Sequence, residues 1–375
     1  MVRAVIMAGG MGTRLEPITS TRSKSLVPLV NRPIMINILE LLRNNGFNDV
    51  VITLHHMNET IMKAFGNGEE LDMNITYSIE SKPLGTAGGV RNIERDLDDT
   101  FIVISSDLLT DFKLSELVDF HHKSKASMTI ASTYVENPVQ YGIINVGDKY
   151  RVKKYIEKPK LSEVFGNAIN SGIYIINREI LNLINENIPF DFSKDFIPEL
   201  LRLGEPIFAK PMEGFWSDIG NPSKYLWTNH QILKGRTNIG VKGKMIKDKV
   251  WVEKGSEISK FASLSGPIAI GKNSKIMSDV HIGPNTVIGS DVTISSGVKV
   301  ESSVIFNSTK LNKNSRAFGC IIGENVNVGC GVRIKQEAII GDGNILQEGC
   351  IISEKSKIWP NKIVKVNNLV TGTMK

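Results

Sequence analysis

Cysteine is scarce in this chain, three residues in 375, and all three (Cys320, Cys330 and Cys350) lie late in it. An odd count without Cys-x-x-Cys spacing supports neither a disulfide framework nor a zinc site, and predicts buried or half-buried free thiols in a reducing compartment. Long apolar runs are missing too. No stretch approaches the ~20 residues a membrane span requires, and the opening run Val2–Ala8 is too short for a secretory signal. The expectation is a soluble, cytoplasmic, globular protein with no membrane partner. Aromatic residues make up 7% and nowhere interleave with a Lys/Arg block, which argues against nucleic acid as a partner. Histidine is also rare: of six, only His281 lies beyond residue 235. His55 and His56 lack metal-ligand spacing and read as surface or core-edge residues.

What is present divides the chain near Gly235. The whole carries 45 Lys+Arg against 39 Asp+Glu, yet residues 236–375 hold 20 and 11, leaving 25 and 28 to residues 1–235. The basic excess is therefore confined to the second part, where it is scattered as on a solvated face. At about 100–200 residues per domain, two domains are expected, 1–235 and 236–375.

In the first, short β-branched runs (Arg3–Met7, Val50–Leu54, Ile75–Ile79, Phe101–Ser105, Met128–Tyr134) alternate with helical patterns at Pro33–Asn45, Asn58–Phe65, Thr86–Arg95 and Ser115–Lys123. That order predicts an α/β fold, a Rossmann-like, mostly parallel sheet covered on both faces, with ligands beyond the carboxyl ends of the strands. In the second, every sixth residue from Ile246 to Phe306 is apolar, and the period resumes from Ile322 to Val364. Neither helix nor strand gives a period of six; such hexads mark a parallel β-helix, three sides to a coil. The break at Asn307–Ile321 predicts a loop leaving the prism, and Pro222–Lys234 a helix joining the two parts.

The chemistry-bearing residues cluster at predicted strand ends. Ala8-Gly9-Gly10-Met11-Gly12-Thr13-Arg14-Leu15 follows the first strand. Its glycines let the backbone approach phosphate oxygens, and successive N–H groups form an anion nest. A glycine-rich run alone is also a tight turn. Arg14 inside it and Lys24 shortly after add two fixed cations, suited to a substrate with three or more negative charges.

Gly10-x-Gly12-Thr13-Arg14-Leu15-x-Pro17-x-Thr19, followed by Lys24-x-Leu26-Val27-Pro28, resembles the signature of sugar-1-phosphate nucleotidylyltransferases. Pro83-Leu84-Gly85-Thr86-Ala87-Gly88 resembles that family's base-contacting loop, in wording closest to mannose-1-phosphate guanylyltransferases. Ser106-Asp107 and Phe215-Trp216-Ser217-Asp218-Ile219-Gly220 resemble the segments bearing its two metal aspartates. Tyr141-Gly142, Glu157-Lys158-Pro159 and Asn170-Ser171-Gly172 resemble its sugar-phosphate contacts. Related members carry a left-handed β-helix after the catalytic domain, so the resemblance spans nearly the whole chain.

The resemblance implies transfer of a nucleoside monophosphate to a sugar 1-phosphate, foremost from GTP to mannose 1-phosphate, with release of pyrophosphate. It implies Mg²⁺ held by Asp107 and Asp218, a triphosphate held by Arg14 and Lys24, and nucleotide contacts from Ala8, Gly9, Gly10, Gly12, Thr13, Gly85 and Thr86. Gly142, Glu157, Lys158 and Asn170 would bind the sugar phosphate. Taken singly, Asp107 also reads as a helix cap, Asp218 as a turn opener, Lys158 as a solvated charge and Asn170 as a turn residue; their ordered co-occurrence favours the site. One departure stands out. Ser23 and Ser25 occupy positions where the family usually has proline, which leaves the backbone around Lys24 freer. The same-class alternative is a uridylyl- or thymidylyltransferase acting on glucose 1-phosphate or another sugar 1-phosphate. A catalytically silent nucleotide-sugar-binding subunit and a structural scaffold are the alternatives of other classes. A second, acyl-transferring activity is disfavoured, because His281 sits in a regular hexad. The β-helix is expected to mediate homo-oligomerisation.

Overall fold

The computed structural model describes residues 2–375, and the chain falls into two compact units. One comprises residues 2–11 and Met35–Asp218, the other Gly12–Ile34 and Ile219–Lys375. In chain order the strands ahead of the β-helix are β1 (Ala4–Met7), β2 (Pro28–Leu29), β3 (Arg32–Pro33), β4 (Asp49–Leu54), β5 (Asn74–Ile79), β6 (Thr100–Ser105), β7 (Leu108–Thr110), β8 (Met128–Tyr134), β9 (Gly142–Val146), β10 (Val152–Glu157), β11 (Ala168–Asn177), β12 (Ile207–Pro211) and β13 (Trp216–Asp218). The helices are α1 (Ile34–Asn44), α2 (Asn58–Phe65), α3 (Gly85–Arg91), α4 (Leu114–Ser124), α5 (Ile197–Arg202) and α6 (Pro222–Leu233).

The first unit is built on a sheet ordered β10-β9-β11-β6-β1-β4-β5, with β8 on β11 and β12 on β8. Its β5-β4-β1-β6 part is parallel, whereas β11 runs antiparallel to β6, β8 and β9. Ala4, Val5, Ile6 and Ile102–Ile104 are wholly buried, as near-continuous apolar strands covered on both faces must be. All five predicted strands and four predicted helices form within a few residues of their expected bounds.

The second unit contains three sheets of nine, seven and seven short strands. Apart from the first strand pair, Lys244–Lys247 with Val250–Val252, all run parallel. Inward aliphatics from Ile268 to Val364 make one continuous core. Three sequence expectations are corrected here. Ile246 does not start the hexads: it lies in the antiparallel strand and is more than half exposed. No loop leaves the prism at Asn307–Ile321. Ile268 pairs with Thr286 and Ile321 with Ile339, 18 residues apart, but Val287 pairs with Val304 and Val304 with Ile321, only 17 apart. Two sides are thus one residue short, between Val300 and Ile305 and between Ala317 and Ile322, and both Ile305 and Leu311 remain in the core. The period slipped while the coil continued. Finally, Cys320 and Cys350 are buried but Cys330 is exposed. Burial pushes the Cys320 thiol up to about 12.

No helix among the described residues is long and apolar enough to cross a membrane.

Candidate active site

In the first unit, β1 lies between β4 and β6, all three parallel, so their carboxyl ends open together. Ala8 N–H donates to Thr53 O at 2.9 Å, and Ser106 N–H donates to Met7 O at 3.0 Å. These bonds carry Ala8, Gly9 and Gly10 out of the sheet directly beside Ser106 and Asp107. Gly10 is exposed, with no heavy atom within 4 Å of where its Cβ would stand. A ligand can therefore lie against bare backbone there.

The expected base loop opens α3. Gly85 adopts φ +72°, and a side chain there would strike Phe190 O at 2.6 Å, so glycine is required twice over. Ala87 and Gly88 N–H both donate to Phe190 O, at 2.9 and 3.0 Å. Thr86 Oγ1 donates to Asp191 Oδ2 at 2.9 Å and accepts Phe192 N–H at 2.8 Å. Residues 190–193, which sequence reasoning missed, thus brace the loop. Their one signal was Asp191 as a cap: its Oδ1 accepts Ser193 and Lys194 N–H, at 2.9 and 3.1 Å.

Glu80 was missed as well. It follows β5, is 8% exposed, and accepts Leu84 N–H through Oε2 at 3.1 Å. Oε1 lies 4.0 Å from where a Gly9 side chain would start, and only 2.3 Å from the same point on Gly89. The carboxyl fills the space between the glycine-rich turn and α3. Desolvation raises its pKa above the usual glutamate range, against smaller opposing effects of the Leu84 N–H and His55. A charged residue closing an alternating strand just before the base loop was the available signal.

The residues expected to meet the sugar phosphate converge on Tyr155. Glu157 pairs with Gly142 across β10 and β9. Tyr155 OH donates to Glu157 Oε2 at 2.8 Å, and Asn170 Nδ2 donates to Tyr155 OH at 3.3 Å and Tyr174 OH at 2.9 Å. A side chain at Gly142 would overlap Tyr155 Oη at 2.0 Å. Burial first, then the neighbouring phenol and carboxylate, drive the Tyr155 pKa well above the phenol range, so it stays a donor. Lys158 is exposed, its Nζ 3.8 Å from Glu157 Oε1. Gly142, Glu157 and Asn170 are therefore joined through a buried phenol, with Lys158 at the rim.

Asp107 follows β6, and Asp218 closes β13, which pairs with β7 so that Asp218 stands opposite Leu108. Leu108 directly follows Asp107, so the two aspartates stand at the same end of this strand pair. Both are half-buried, and Ser105 OH donates to Asp107 Oδ1 at 2.7 Å. Trp216 fixes the Asp218 strand: its Nε1–H donates to Ser171 O at 3.0 Å. Among the described residues no group of three or more His, Cys, Asp or Glu side chains is placed to hold a metal. Two oriented carboxylates suit Mg²⁺, a hard ion bound through one or two carboxylates with substrate phosphates completing its shell.

The remaining residues belong to the second unit. Gly12 adopts φ +68°, and its Cβ would lie 3.0 Å from Lys24 Cβ, so Lys24 packs directly on it. Thr19 Oγ1 donates to Gly12 O at 2.9 Å. Thr13 and Arg14 are exposed, and Lys24 opens a short turn, Lys24–Leu26, flanked by buried Ser23 and Ser25.

Comparison with known proteins bears on the whole chain. The nucleotidyl transferase family matches residues 3–235, and the family described as GMPPB C-terminal domain matches residues 264–373. A mannose-1-phosphate guanyltransferase of Aspergillus oryzae is 33% identical over 372 residues, 98% of both chains. One of Yarrowia lipolytica is 37% identical over 230 residues, 60% of this chain and 62% of that protein, less than two thirds of the relative's length. A UTP--glucose-1-phosphate uridylyltransferase of Synechocystis is 31% identical over 333 residues, 84% and 85% of the two chains. The crystal structure of a putative glucose-1-phosphate thymidylyltransferase from Bacillus anthracis shares the fold: TM-score 0.57 at 23% identity, over 65% of this chain and 98% of that one. With the glycine-rich turn, the paired aspartates and the solenoid already in place, these matches settle its kinship: the chain belongs to the nucleotidyl transferase family.

Proposed function

We propose that this protein transfers a guanylyl group from GTP to mannose 1-phosphate, forming GDP-mannose and releasing pyrophosphate. The observation that carries this reading is end-to-end similarity to a mannose-1-phosphate guanyltransferase, 98% of both chains. Glu80 supports the base. An ionised carboxylate only accepts hydrogen bonds, and guanine presents adjacent N1–H and N2–H₂ donors. Uracil and thymine present one N–H between two carbonyls, whose oxygens a carboxylate repels.

A phosphate oxygen of the sugar 1-phosphate attacks the α-phosphorus of the nucleotide. The bond from that phosphorus to the bridging oxygen of the β-phosphate breaks, and its electrons leave with pyrophosphate. The nucleophile is already an anion and needs no base. The obstacle is repulsion between two polyanions, so fixed positive charge and oriented N–H groups supply the catalysis. In this reading Ala8, Gly9, Gly10, Gly12 and Thr13 offer backbone N–H groups to phosphate, Gly85 and Thr86 border the base, and Arg14 and Lys24 hold the triphosphate. Gly142, Glu157, Lys158 and Asn170 take the sugar phosphate. Asp107 and Asp218 would hold Mg²⁺, which when bound supplies further neutralisation of the phosphates. Residues 1–235 form the transferase half and residues 236–375 the β-helix half. The β-helix would join copies of the chain into a homo-oligomer, and the reaction would take place in the cytoplasm, where free thiols such as Cys330 persist.

The test is pyrophosphate release with Mg²⁺, pairing GTP, UTP, dTTP and ATP with mannose 1-phosphate and glucose 1-phosphate. GTP with mannose 1-phosphate should exceed every other pair, and Asp107→Asn and Asp218→Asn should each lower turnover by about 10²-fold or more. Preference for UTP or dTTP would replace the substrate assignment. Nucleotide-sugar binding without turnover of any pair would make the chain a regulatory subunit.

A further inference from the structure

The β-helix turns two carboxylates of neighbouring coils towards one cation outside the prism. Glu324 and Asp342 occupy equivalent corners of successive coils, and Asp342 Oδ1 accepts Glu324 N–H at 2.7 Å. Coils stack ~4.8 Å apart, and like charges at that spacing oppose the ladder that brings them together. Both carboxylates face one partner from the glycine-rich segment of the same unit. Arg22 Nη2 lies 3.0 Å from Glu324 Oε2 and also pairs with Asp342, while Thr21 OH donates to Asp342. The guanidinium stands over Phe306, 5.0 Å from the ring centroid. Arg22 and Asp342 are only 16% and 15% exposed, a shielded pair with Glu324, 35% exposed, at its edge.

Further grips follow along the same segment. Tyr225, whose ring meets Phe306 edge-on at 6.5 Å, donates its OH to Pro28 O. Asn31 Nδ2 donates to Ile288 O of the β-helix at 2.8 Å. Lys24 sits between the holds at Arg22 and Pro28, with its Cβ against Gly12. Lys24 lies two residues from Arg22, and serine at 23 and 25 fixes φ less than proline would, so a displacement of Arg22 is passed to Lys24 through the backbone.

We propose that Glu324 and Asp342 position Lys24 for phosphate by clamping Arg22, so that the β-helix is a working part of the transferase rather than an appendage. This rests on the nucleotidyl-transfer reading, in which Lys24 meets the triphosphate. Glu324, Asp342 and Arg22 are positioning residues; none touches substrate.

The test uses the full chain with Glu324→Gln and Asp342→Asn together, and Arg22→Lys as a milder second variant that keeps the charge but loses the guanidinium fork. Misplacement of a group by ~1 Å costs up to about 10²-fold, and the double variant should lose about 10- to 10²-fold in kcat with a smaller change in KM. The decisive readout is a cycle with Lys24→Ala. On that background the clamp substitutions should cost nothing more, because the group they place is gone. A separate readout needs no activity: hydrogen exchange at Leu26 and Val27, whose N–H groups donate to Ser23 O and Lys24 O, should accelerate in both variants. Equal losses with and without Lys24, or unchanged exchange, would overturn the clamp. If the wild-type protein transfers nothing to any sugar phosphate, the functional reading fails, and the exchange measurement still decides whether the clamp exists.

Discussion

Under the proposed function, Glu80 would couple stability to recognition through one buried side chain. Its pKa is raised chiefly by desolvation, so the folded protein holds this proton more tightly than the unfolded chain does. A carboxyl of that kind costs stability as pH rises from the ordinary glutamate range through its raised value, because the ionised form is poorly solvated. Glu80→Gln should therefore flatten the pH dependence of Tm over that window and leave the protein as stable or more stable at pH 7. The same change should impair function. The amide that replaces the carboxyl still accepts through its oxygen but turns a donor towards a position that must accept, so discrimination of GTP over UTP should fall by about 10- to 10²-fold, as for loss of one buried hydrogen bond to a charged group. Thermal melts from pH 4 to 8 beside kcat/KM for the two nucleotides check both halves. A variant that loses stability at pH 7 while keeping its preference for GTP would contradict them. The motif residues were legible in the sequence because glycines, cations and paired aspartates are constrained by local chemistry. Glu80, Tyr155 and Asp191 were not, because each acts through a partner on another element: Gly89 and Thr86 of α3 and Asn170 of β11.

At the level of the element, the sequence states its period more reliably than its phase. The six-residue repeat announced the β-helix, yet two five-residue sides shifted the apolar positions by one and made a continuous coil read as an excursion. Shortening a side moves one residue out of the corner without changing which face the next strand buries. Ile305 consequently faces the core, and Phe306, buried at 2% exposure, is left to pack against Arg22 and Tyr225. The two accounts of Asn307–Ile321 differ in a measurable way. Leu311, 1% exposed and in the core, should cost about 2–5 kcal/mol when replaced by alanine. In an excluded loop the same change would stay within about 0.5 kcal/mol. Urea unfolding of Leu311→Ala followed by far-UV circular dichroism separates them. The central parallel strands, by contrast, were read nearly to the residue, since burial on both faces leaves an apolar run with no ambiguity of register.

On the scale of the molecule, the sequence divides at Gly235 while the packing divides elsewhere. The family match ends at residue 235, but Gly12–Ile34, which carries Arg14 and Lys24, clusters with the β-helix. A period or a motif is written locally; a segment that leaves one unit to pack in another leaves no local mark, and only Arg22, Thr21 and Asn31 betray it once their partners are seen. Cutting the chain after Gly235 would strip Arg22 of both carboxylates and of Phe306, and Asn31 of Ile288 O. It would also uncover Tyr225 of α6, 1% exposed in the whole chain and packed edge-on against Phe306. Burial of one such side chain is worth about 1.5–3 kcal/mol, a sizeable part of the net stability of a domain, about 5–15 kcal/mol. Fragment 1–235 should accordingly associate or melt far below the full chain, and its nucleotidyl transfer should fall by at least the factor lost in the Glu324→Gln, Asp342→Asn protein. Size-exclusion chromatography with light scattering, a melting curve and pyrophosphate release at equal folded concentration test this together. A monomeric fragment with full turnover would mean that the glycine-rich segment keeps its geometry unaided and that the β-helix serves assembly alone.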